Sequence, residues 1–190
     1  MWTLQFGNVL NFEANTGNST MAQILYLGVE GVLFAARSAS IRLQPGLHQT
    51  PRTDPLPLLP VISRLIACRP DISVVINSWM VVDFGYQAIV NLLPMEIARM
   101  TIGATMPGNR AHRRCIMTSR ADVLRADIRR RCPNYLVIVD ASSHAIPYEY
   151  LAQSVHVKTT SPRGTAEVAD QIVHLLDAGG DTTDELGLLA

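Results

Sequence analysis

The sequence predicts an α/β fold, a doubly wound parallel sheet of about five strands with helices on both faces. Three observations lead there. The apolar runs at 23–29, 72–76 and 135–139 are nearly unbroken, as strands buried on both faces of a parallel sheet require. The segments between them carry apolar residues at helical spacing, which makes βαβ units the simplest arrangement. Polar residues or glycine stand at the ends of the runs: Gly28 and Glu30, Asn77 and Ser78, and Asp140. In a parallel sheet those exits gather along one edge, the edge at which ligands bind.

Taken in order, residues 3–12 read as two short runs around Gly7-Asn8, a two-residue hairpin pattern, and 14–20 are polar. Residues 1–20 are therefore expected to form an arm or hairpin, and 21–178 the domain. The first strand ends at Glu30-Gly31. Residues 37–53 read as loop, with Ile41 and Leu43 alternating around Arg42 as one side of a short flap. Pro55, Pro57 and Pro60 stiffen the approach to a first helix, which Leu58, Val61, Ile62 and Leu65 mark and which stops before Pro70.

The second strand, 72–76, exits at Asn77-Ser78. Asp83 is the candidate cap of a helix over 84–93, and Pro94 opens a shorter one through Met100. A third strand is expected over 100–102. Ser119 with Asp122 three residues on signals the start of a helix running to Arg131. The fourth strand, 135–139, ends in Asp140, and a fifth spans 155–157. The final helix is expected over 165–178, with Val168, Ile172, Leu175 and Leu176 on one face. Gly179-Gly180 are its expected stop, leaving 179–190 as a flexible tail.

Composition narrows the function classes. The 190 residues are 48% hydrophobic and 17% charged with a formal net charge of zero, which suits one globular domain and gives no whole-molecule attraction to nucleic acid or anionic lipid. The apolar share exceeds what a solvated monomer needs, so a homo-oligomer is expected. Lys158 is the sole lysine, and eight of the sixteen cations fall between Arg110 and Arg131. Those on the expected helix have acidic partners such as Asp127 with Arg131 and read as a solvated, paired face. Arg110, Arg113 and Arg114 have none nearby in sequence and are candidates to bind anions, with affinity that falls with salt.

Cys68, Cys115 and Cys132 form no C-x-x-C pair and no zinc spacing, and the five histidines form no metal spacing either. Reduced thiols in the cytoplasm are expected. Residues 1–20 lack Lys and Arg, their apolar stretches are too short for a signal peptide, and no run reaches bilayer length, so no membrane association is expected.

The segments I-L-Y-L-G-V-E-G-V-L, V-V-I-N-S-W and L-V-I-V-D-A, in this order, resemble three signature segments of the haloacid dehalogenase superfamily. The resemblance covers residues 21–178. It is closest to small bacterial members with a minimal cap, a group that includes domains linked to RNA repair, and it implies a Rossmann-like sheet. In active members one aspartate attacks phosphorus and a second, two residues on, is the general acid and base. Gly28 stands at the first position and Glu30 at the second.

By the same resemblance Ser78 or Asn77 orients the phosphoryl group, Arg120 neutralises it with Arg114 as second choice, and Asp140 is the remnant ligand of a Mg²⁺ ion. Its usual acidic neighbour is Ala141. The leading expectation is a non-catalytic binding or regulatory protein that needs no cofactor and takes a phosphorylated small molecule, a nucleic-acid end or a protein partner. One alternative is a Mg²⁺-dependent phosphohydrolase using Glu30 and Asp140 in altered roles. A homodimeric structural or interaction protein is the other.

Overall fold

The computed structural model describes residues 23–35, 54–106, 119–158 and 161–187, with residues 162 and 180–187 described as backbone only. The expected hairpin at 3–12, the arm over 1–20, the flap at Ile41 and Leu43, and Arg110, Arg113 and Arg114 lie outside these residues. Five strands form one sheet: β1 Gln23–Leu27, β2 Ile72–Ile76, β3 Thr101–Ala104, β4 Tyr135–Asp140 and β5 Ser154–His156. Their order is β3-β2-β1-β4-β5 and every pairing is parallel. The α/β, Rossmann-like expectation holds. Among the described residues no helix is long and apolar enough to cross a membrane.

Alternation along the strands assigns the helices to faces. Leu25, Leu27, Val74, Ile76, Val137 and Val139 pack with the buried residues of α1 Leu58–Ala67, α4 Met95–Met100 and α6 Pro162–Gly187. Ile24, Tyr26, Val75, Leu136 and Ile138 face the other way, against Leu124 and Ile128 of α5 Arg120–Arg131 and against Ile146. Both faces of the three central strands are thus dry, which is why their sequences are apolar without alternation.

Several boundaries differ from the sequence expectation, each for a physical reason. Asp83 does not open a helix over 84–93. It lies inside α2 Met80–Phe84, and Gly85, at φ 92°, separates that turn from α3 Tyr86–Val90. The chain turns helical early because the Met80 amide donates to Glu30 Oε1 at 3.2 Å and to Ser78 Oγ at 3.1 Å. The third strand starts one residue later and runs two further than expected. Val74 pairs with Thr101 but Val75 with Gly103, which leaves Ile102 as a bulge on the edge strand. The fifth strand sits one residue earlier, after a 3-10 segment at Tyr148–Gln153.

The last helix does not stop at Gly179-Gly180 but continues to Gly187. Glycine at 179 serves close packing instead. A Cβ there would lie 2.2 Å from Tyr135 Cδ1 and 2.6 Å from Gln23 Nε2. Because the helix presents bare backbone, it lies directly on β1 and β4, and Gln23 Nε2 donates to Leu176 O at 2.7 Å. A glycine inside a helix costs roughly 1 kcal/mol relative to alanine, and this packing offsets it.

Candidate functional site

Register brings three strand exits level. Leu27 stands beside Ile76 on one side and Val139 on the other, so Gly28, Asn77 and Asp140 meet at the carboxyl edge of the sheet. The Gly28 amide donates to Val139 O at 2.8 Å and the Asn77 amide to Leu27 O at 2.9 Å. The ladder therefore extends through the site, and its side chains are held by the rigid core beneath.

Asp140 is fully buried. Its Oδ1 accepts the Ser142 amide at 2.8 Å, and its Oδ2 accepts Asn77 Nδ2 at 3.3 Å and the Arg120 guanidinium. Burial pushes the carboxyl up from the ordinary range, Arg120 and the Ser142 amide pull it down, and the charge of Glu30 pushes it up. Three donors converging on one carboxylate suit the ionised form, which only accepts. Arg120 is the first residue of α5, and the nitrogen that meets Asp140 also donates to the carbonyl of Asn77 at 2.5 Å. Its placement follows from the cap before it, where Ser119 Oγ accepts the Asp122 amide at 3.1 Å.

Glu30 is committed elsewhere. Its Oε2 accepts Ser78 Oγ at 2.6 Å while Oε1 takes the Met80 amide, so the exit of β1 is tied to the start of α2. Gly28 itself has no room to spare. A Cβ at this position would stand 2.8 Å from Asp140 Oδ2, 3.1 Å from Asp140 Cγ and 3.2 Å from Val139 O. The volume into which a side chain of residue 28 would project is held by the carboxylate of Asp140.

Six of the sequence-predicted residues, Gly28, Glu30, Asn77, Ser78, Arg120 and Asp140, are thus brought to one edge, and Arg114 lies outside the described residues. They form two sets. Arg120 and Asn77 hold Asp140, whereas Ser78 holds Glu30. Sequence reasoning missed Thr105, whose Oγ1 donates to Asn77 Oδ1 at 3.0 Å and so fixes the amide that reaches Asp140. It follows β3 directly, and a strand expected to end at Ile102 gave no reason to look there. Ser142 was missed too. It acts through its backbone amide, which residue type does not reveal.

The Mg²⁺ implied by the resemblance can be tested against these donors. Mg²⁺ demands near-octahedral oxygen ligands, commonly one or two carboxylates with waters. Here all four oxygens of Glu30 and Asp140 already accept hydrogen bonds, a guanidinium lies against Asp140, and residue 28 offers no side chain. Among the described residues no three His, Cys, Asp or Glu side chains converge as a metal-binding group. The residues present do not fit that ion.

Three further arginines of α5 are paired along the helix or across to the 3-10 segment. Asp127, buried, pairs with Arg130 and accepts Arg131 Nε at 2.7 Å, and Arg125 bridges Asp122 and Glu149. A shallow groove between α1 and α4, lined by Leu59, Ser63, Ala67 and Glu96 among others, includes none of the edge residues. Compared with models of known families and with curated proteins, the chain matches none.

Proposed function

We propose that the chain is a haloacid dehalogenase-like domain without the family's chemistry, acting as a binding or regulatory protein. The observation that carries this reading is the contact at Gly28. No carboxylate projects from that position, and Asp140 fills the space in which one would stand. Attack on phosphorus by the route of the resemblance needs that group. Losing a nucleophile that works as a unit with its base typically lowers the rate by on the order of 10⁶.

Glu30 supports the same reading. At the acid/base position, its two carboxylate oxygens anchor the first turn of α2, whereas a general acid must place its proton on a leaving group. Hydrolysis of generic phosphomonoesters by the full chain with Mg²⁺ is expected to equal that of a Glu30→Gln, Asp140→Asn control. Turnover above the control would make the phosphohydrolase alternative correct.

A further inference from the structure

We infer that Arg120 is a built-in counter-cation, supplying to Asp140 the positive charge that a bound divalent ion would otherwise bring, so that this buried carboxylate is compensated without metal. The inference is separable from the absence of turnover. A chain that folds only with Mg²⁺ yet hydrolyses nothing would sink the first and leave the second standing.

The geometry carries it in three steps. A carboxylate with no exposed surface cannot stay ionised without compensation, because water no longer solvates it. The oxygens a hard cation selects are carboxylates and backbone carbonyls. One nitrogen of Arg120 takes one of each, Asp140 Oδ2 and the carbonyl of Asn77, and the arginine side chain is only 12% exposed. Thr105 and Asn77 then orient the remaining donor, and the Ser142 amide satisfies the other oxygen.

The balance is local to Asp140. Residue 28 contributes no carboxylate, and Glu30, half-buried, keeps its charge and takes its hydrogen bonds from the Ser78 hydroxyl and the Met80 amide. The one fully buried carboxylate of the edge therefore faces one guanidinium. A second cation would have to displace the arginine from both oxygens, and a guanidinium does not lose its charge at any ordinary pH.

Thermal melting of the full chain tests this. Wild type is expected to melt at the same temperature in millimolar Mg²⁺ and in EDTA. Arg120→Met should lower Tm by roughly 6–20 °C, because breaking one side of a buried pair leaves an uncompensated charge. Arg120→Lys should retain part of that difference, and Arg120→Met with Asp140→Asn should melt above Arg120→Met alone. Stabilisation of wild type by Mg²⁺, or an Arg120→Met protein that melts with wild type, would overturn the inference. So would a double variant no better than the single. If Arg120→Met does not fold, the double variant and the wild-type magnesium comparison still decide.

Discussion

Gly28 and Asp140 form one unit, and neither residue makes sense without the other. The missing side chain at 28 is what lets the carboxylate sit against β1, under Arg120 and beside Asn77. Alanine at 28 therefore meets Asp140 Oδ2 and the fixed carbonyl of Val139, and overpacking of this kind typically costs about 1–3 kcal/mol. Denaturant unfolding of Gly28→Ala should show that loss. An unchanged midpoint would mean that Asp140 moves aside freely and that its buried pairing is soft. The sequence made the members of this edge legible by name, since strand exits in a parallel sheet converge. It did not reveal who bonds to whom, because a hydroxyl, an amide and a carboxylate each fit several partners until backbone spacing picks one.

At the scale of elements, strands β1, β2 and β4 were readable because burial on both faces leaves only apolar choices. Ends fixed by distant side chains were not. The start of α2 depends on Glu30, fifty residues earlier in the chain, and no local capping pattern could report it. Ser119 was legible for the opposite reason, since its partner Asp122 is three residues away.

The link between α5 and the 3-10 segment carries its own pH signature. Arg125 donates through Nε to Glu149 Oε1 at 2.5 Å and through Nη2 to Oε2 at 3.1 Å. That contact holds the Glu149 carboxyl down at about 2, below its usual 4.5. A depressed carboxyl contributes stability that is fully present above the usual value and is lost as pH falls toward the folded one. The pair is exposed, so the contribution is small and sensitive to salt. The Tm difference between wild type and Glu149→Gln should shrink as pH falls from about 6 to about 2. A constant difference across that window would assign the effect to packing.

Over the whole molecule, periodicity and strand exits sufficed for the architecture, and the order β3-β2-β1-β4-β5 places β1 between β2 and β4, where the three exits coincide. The helix continuing past Gly179-Gly180 escaped prediction because a glycine pair reads locally as a stop, while Gly179 serves to admit Tyr135 and Gln23 from across the fold. The same distinction governs the edge. An acidic strand end reads locally as a ligand-binding group, and only the assembled fold shows its oxygens already satisfied from within. Crystals of the full chain grown with Mn²⁺ and read for anomalous density at Asp140 test this most directly. The expected result is the Arg120 guanidinium on Asp140 Oδ2 with no anomalous peak within coordination distance. A Mn²⁺ ion ligated by Asp140, with Arg120 turned away, would contradict it.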